Sequence, residues 1–287
     1  MESVQGDRVR IEEGVVFGHG GGRELRCDVY HPPQTGEARS GILLLHGGGW
    51  SGGDRSQLRG YGVLLGRLGY VCVASEYRLT GEARWPAQIH DVKAALRWMR
   101  AQSAKLGIDP ERIAVSGNSA GGHLALMLAG TPGQSEFEGE GGHPEIGTQC
   151  AAVIAFYPPT WLLPGSEAMT DAPARRAALF DAEVSTDIVR AASPLHHAKA
   201  PFPPTLLIHG SADALVPQAA SLRMYEALRA AGAAVEIHVF SGAPHGFDAS
   251  RAYGRTCAQL MALFLERHGL PPAVPALTPP VVGRAAR

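Results

Sequence analysis

Gly117-Asn118-Ser119-Ala120-Gly121 has the spacing G-x-S-x-G, preceded by the short apolar run 113–116 and followed by a helical stretch over 122–129. A strand that enters a helix through so tight a turn strains the backbone of its central residue. The residues two before and two after must then be very small. Gly117 and Gly121 meet that condition, which makes Ser119 a candidate nucleophile. With 36 glycines among 287 residues, the pentapeptide could equally be an ordinary helix entry capped by Ser119. The partners that a nucleophile needs decide between the two.

Those partners follow in the order serine, acid, histidine, each in a loop after a later strand. The apolar run 205–209 ends in Gly210-Ser211-Ala212-Asp213, which sets Asp213 in a loop. The run 235–240 alternates polar and apolar residues as a half-buried strand does, then breaks at Ser241-Gly242-Ala243-Pro244 before His245 and Gly246. His245 is one of twelve histidines and could be a surface residue, but its loop position after a final core strand suits a base for Ser119. Upstream, the strand 41–45 empties into His46-Gly47-Gly48-Gly49-Trp50. Successive glycines let backbone amides point at a ligand oxygen, as an oxyanion hole requires. Gly48, Gly49 and Ala120 are the candidate donors. A phosphate loop would need a following lysine and serine or threonine, which this segment lacks. His46 reads as a structural anchor, and Trp50 as an aromatic beside the substrate.

Taken together, H-G-G-G-W, E-Y-R-L at 76–79, G-x-S-A-G-G, the D-x-L-V-P loop and P-H-G-F resemble esterases related to hormone-sensitive lipase. They resemble still more the neighbouring acetylesterase, feruloyl-esterase and arylformamidase-like hydrolases. The likeness runs over about residues 25–268, with departures from the main branch at Asn118 and at Val216-Pro217. It implies an α/β-hydrolase fold in which Ser119, Asp213 and His245 are the catalytic triad. The implied reaction is hydrolysis of small or short-acyl carboxylic esters through an acyl-enzyme. Arylformamide hydrolysis is the alternative within the enzymes, and a non-catalytic small-molecule receptor on the same scaffold is the alternative outside them.

Strands alternate with helices along the chain, the pattern of a mostly parallel sheet covered on both faces, with the early segments 14–18 and 25–30 as an antiparallel edge. Helices are expected over 58–68, 87–107, 219–231 and 249–268, and the glycine-rich, acidic stretch 131–147 as an exposed loop. Residues 1–268 read as a single domain, and 269–287 as a disordered tail rich in proline and alanine. The insertion 158–204 is too long for a simple connection and is expected to cap a shallow pocket, with Trp161 and Leu162 facing the substrate.

A net charge of −1 argues against nucleic acid or an anionic membrane as the main partner; the resemblance implies a small-molecule ester instead, and a homo-oligomer stays open. No apolar run reaches membrane-spanning length. The charged amino terminus lacks a signal-peptide core, and the four cysteines form no C-x-x-C pair, so a cytoplasmic protein is expected. Neither metal nor cofactor is expected: the histidines lack ligand spacing, and no G-x-G-x-x-G follows a strand.

Overall fold

In the computed structural model, residues 8–33, 38–163 and 177–272 are described. Eight strands form one sheet: β1 Arg10–Gly20, β2 Arg23–His31, β3 Arg39–Leu45, β4 Val71–Ser75, β5 Ile108–Asn118, β6 Ala152–Phe156, β7 Thr205–Gly210 and β8 Val235–Phe240. Their order is β1-β2-β4-β3-β5-β6-β7-β8, with β1 and β2 antiparallel at the edge and the rest parallel. This is the mostly parallel α/β-hydrolase sheet expected from the sequence.

Side-chain alternation divides each central strand between two cores. On β3, Leu43 and Leu45 enter one cluster while Ile42 and Leu44 enter the other; on β4, Val71 and Val73 part from Cys72 and Ala74 in the same way. Burial on both faces explains why the runs 41–45 of β3 and 71–74 of β4 carry no alternating polar residues. The first core is closed by α2 Ala87–Ala101, α4 Ala120–Gly130 and α7 Ala219–Ala230, the second by α1 Arg59–Arg67 and α8 Arg251–Arg267. The chain runs from β3 outward to β4 and then returns to lay β5 on the other side of β3. Loops leaving the carboxyl ends of β3 and β5 therefore diverge at a switch point, where open α/β sheets form crevices.

Several expected boundaries differ. The helix expected over 87–107 ends at Ala101; a short α3, Ser103–Leu106, follows, and Gly107 turns the chain at φ 69°. Residues 269–272, read as part of a disordered tail, pack on the domain: Leu270 is buried and its carbonyl accepts from Tyr70 Oη at 3.1 Å, while the Pro271 carbonyl accepts from Ser40 Oγ. The remainder, 273–287, lies outside the described residues.

The largest correction concerns 131–147. Its acidic composition suggests solvent, yet Ser135–Glu138 forms a helical turn, α5, that buries Phe137. Glu138 accepts from Lys93 at 2.8 Å, Arg97 at 3.2 Å and Thr148 at 2.7 Å. The side chains of Lys93 and Arg97 on α2 are 0% and 1% exposed, so their charges need this carboxylate. Burial still lowers the Lys93 pKa. Glu138→Ala should therefore destabilise the fold by about 3–5 kcal/mol, because two buried cations lose their anion. A urea-unfolding midpoint equal to that of the unmodified protein would refute this account.

Candidate active site

Ser119 stands between β5 and α4 with φ 53°, in the left-handed region that a side chain adopts only under constraint. The constraint is visible in the backbone. Its N–H donates to the Phe156 carbonyl at 2.9 Å, and its carbonyl accepts from His123 N–H, also at 2.9 Å. The flanking glycines are sterically required: a Cβ on Gly117 would lie 2.3 Å from the Gly121 carbonyl oxygen, and one on Gly121 would lie 2.1 Å from that of Leu45.

His245 Nε2 lies 3.0 Å from Ser119 Oγ, and its Nδ1 lies 2.7 Å from Asp213 Oδ2. Facing a carboxylate, Nδ1 carries the proton and donates it, which leaves Nε2 to accept from the serine hydroxyl. The Asp213 side chain is 0% exposed. Its other oxygen, Oδ1, accepts from the amides of Leu215 at 2.9 Å and Val216 at 2.8 Å. Burial alone would raise its pKa, but hydrogen bonds from His209, His245 and the Val216 amide hold the carboxyl well below the usual range. Asp213 is thus a fixed anion. His209, 3.4 Å from Oδ2, is itself fixed by Ser221 Oγ on Nδ1 at 2.7 Å and the Val216 carbonyl on Nε2 at 2.8 Å.

The glycine loop after β3 is held by its own backbone. Gly48 and Gly49 have φ 116° and 62°, and the Gly48 carbonyl accepts from the amides of Ser51 at 3.2 Å and Gly52 at 3.0 Å. The register that pairs Leu45 with Gly117 brings this loop beside the elbow. A Cβ on Gly47 would sit 3.4 Å from that of Ser119. Among the described residues, the amides of Gly48, Gly49 and Ala120 have no protein acceptor. His46 anchors the loop: its ring stacks on Tyr77 with centroids 4.2 Å apart, and the Tyr77 hydroxyl donates to the His46 carbonyl.

The expected substrate contacts are placed elsewhere. Trp50 is 1% exposed and its indole N–H donates to His123 Nδ1 at 3.3 Å. The backbone reverses at Trp50, φ 59°, and the ring enters the core against α4 instead of the substrate space. His123 donates from Nε2 to the Ala192 carbonyl at 2.8 Å, and burial pushes its pKa down to about 4, so it stays a neutral link. Leu162 packs against the first core, with its amide on Ser193 Oγ, and Trp161 is half-buried; neither lines the cavity at Ser119. The described parts of the insertion send Leu179, Phe180 and, from α6 Thr186–Ala191, Val189 into that same core. They cover the sheet face opposite α1 and α8, and 164–176 lies outside the described residues. The cavity is a cleft of about 1010 Å³ between α1 and α8, roomier than the shallow pocket expected, with Tyr61 and Leu64 on its α1 wall and Leu58 just before that helix.

One cluster went unrecognised in the sequence. Asp248, three residues after His245, is 5% exposed and accepts from Tyr61 Oη at 3.0 Å, Asn118 Nδ2 at 2.5 Å and the Tyr157 hydroxyl. Burial raises its pKa against the lowering effect of these donors. The Tyr157 ring lies 4.5 Å from the His245 ring, so the cluster joins the residue before Ser119 to the loop that carries the base. The signal was Asp248 in Pro-His-Gly-Phe-Asp, but Asn118 is 130 residues away and nothing local pairs them. Among the described residues, no group of three or more His, Cys, Asp or Glu is assembled as a metal site, and no helix is long and apolar enough to cross a membrane.

Residues 27–228 match the BD-FAE family. Esterase LipC of Mycobacterium tuberculosis is 34% identical over 235 residues, covering 79% of this chain but only 58% of LipC. Among solved structures, Thermogutta terrifontis esterase 2 with propionate bound superposes with a TM-score of 0.79 at 30% identity, covering 94% of this chain and 97% of that one. A truncated carbohydrate esterase from gut microbiota gives a TM-score of 0.80 at 25% identity, covering 93% and 99%.

Proposed function

Because the chain belongs to the BD-FAE family, among the hormone-sensitive-lipase-like α/β-hydrolase esterases, we propose that it is a carboxylesterase-type serine hydrolase acting on small or short-acyl esters. The observation that carries the reading is the continuous relay from Asp213 Oδ2 through His245 to Ser119 Oγ, with hydrogen-bond spans of 2.7 Å and 3.0 Å. His245 Nε2 takes the hydroxyl proton as Ser119 Oγ attacks the ester carbonyl. Asp213 holds the imidazole in the Nδ1–H tautomer and stabilises its cationic form. The amides of Gly48, Gly49 and Ala120, lacking acceptors of their own, receive the oxyanion. His245 then protonates the departing alcohol, and a water activated by the same nitrogen releases the acid. Tyr157 and Asp248 position the histidine loop without touching the reacting atoms.

The propionate bound in the Thermogutta enzyme supports a short acyl group. In a series of 4-nitrophenyl esters, acetyl to butyryl should give the highest kcat/KM, with decanoyl strongly disfavoured. A steady rise through decanoyl would contradict the short-acyl assignment. Formanilide included in the series tests the amide alternative, which would be favoured only if it outran the esters. We further place the protein outside the membrane, in the cytoplasm, with 1–268 as a single catalytic domain; fractionation and limited proteolysis test those two points.

A further inference from the structure

Four arginines line the catalytic cleft: Arg59 and Arg67 at the two ends of α1, and Arg251 and Arg255 on the first turns of α8. The chain as a whole has 26 basic and 27 acidic residues, so composition does not produce this bias. The acidic residue on the lining, Asp248, is buried and already engaged by Tyr61, Tyr157 and Asn118. Arg59 is paired with Glu13. Among the described residues, Arg67, Arg251 and Arg255 have no acidic partner, although ion pairs are frequent elsewhere on this surface.

The placement on α8 is locally unfavourable. Arg251 and Arg255 are four residues apart, so both project from one helix face, where like charges repel. They also stand at the helix end whose dipole favours anions. Folding gains nothing from this arrangement, whereas an anion in the cleft would relieve both penalties. Arg67 lies ~12 Å along α1 from Arg59, so the arginines are spread along the wall of the cavity that also holds Ser119.

We infer that the cleft takes esters bearing a carboxylate remote from the scissile bond, drawn by the unpaired arginines of its α1 and α8 walls while the carbonyl sits at Ser119. The inference rests on the ester-hydrolase reading and sharpens it to a substrate class. The carboxylate can belong to the acid half, as in a dicarboxylic monoester, or to the alcohol half, as in an acylated hydroxy acid. In both, guanidinium–carboxylate pairing supplies the recognition.

The test compares matched esters in two arms. Mono-4-nitrophenyl adipate against 4-nitrophenyl hexanoate probes the acid side; 4-acetoxybenzoate against 4-acetoxytoluene probes the alcohol side. At low ionic strength the charged ester of at least one arm should have a kcat/KM about tenfold above its neutral partner, with the difference in KM. The ratio should fall towards unity in Arg251→Gln/Arg255→Gln, fall partway in Arg67→Gln, and shrink as salt is raised. All three residues are exposed and away from the cores, so the variants should fold, which circular dichroism verifies. Turnover of the neutral esters with a ratio at or below one in both arms would overturn the inference and leave the hydrolase reading standing. A ratio above one that the arginine variants preserve would overturn it too. Turnover of no ester at all would overturn both.

Discussion

Ser119→Ala and His245→Ala are each expected to lower kcat for 4-nitrophenyl butyrate by about a million-fold, with no loss of folded protein. The two substitutions should have nearly the same effect, and the double variant little more. Nucleophile and base act in one step across a single 3.0 Å hydrogen bond, so removing either removes the step. Residual turnover above the uncatalysed rate would come from binding and from the loop amides. Neither side chain holds up the fold: the elbow is fixed by the Ser119 backbone, which bonds to Phe156 and His123, and His245 is partly exposed. Near-normal turnover in either variant, from protein free of contaminating esterase, would remove the triad assignment. A receptor on this scaffold would bind the ester and release it unchanged, and Ser119→Ala would then alter nothing.

Asp213→Asn should cost about ten-thousand-fold in kcat at neutral pH. The surroundings of the carboxylate say why an isosteric amide cannot substitute. Oδ1 faces two backbone amides, those of Leu215 and Val216, so the asparagine must turn its carbonyl there and its NH2 towards His245. That NH2 requires an acceptor, which forces the imidazole proton from Nδ1 to Nε2 and points an N–H at the serine hydroxyl. The histidine is then a donor where a base is needed. Near-native thermal stability with wild-type kcat would show that another acid orients His245. Asp248, three residues along the same loop, is already occupied by two tyrosines and Asn118.

The serine, acid and histidine were legible because each requirement is local. The elbow needs two glycines around a serine, and its partners need loops after strands that their apolar runs announce. The parallel sheet was legible for the same reason, since β3 and β4 are apolar on both faces. Direction of burial was harder to read. Trp50 follows a glycine turn whose φ values decide whether its ring meets substrate or core, and those angles are not written in residue type. Glu138 looked like part of a solvated acidic loop because its two cations come from α2, more than 40 residues earlier in the chain, and are themselves buried. Asp248 escaped because its partners come from α1, β5 and the end of β6, which only the fold assembles.

The glycines of the elbow and the oxyanion loop also bear on how such a protein can diverge. At Gly117, Gly121 and Gly48 an added Cβ would fall within 2.1–2.3 Å of a backbone carbonyl oxygen, so almost any coding change there destroys the machinery. Gly60 on α1 lines the same cleft, and an added Cβ there meets nothing within 4 Å. Reaction and substrate range are therefore carried by positions of opposite mutational tolerance. A lineage, or a laboratory library, can drift along the α1 and α8 walls and change what is hydrolysed, while the elbow and its loop hold constant how it is hydrolysed.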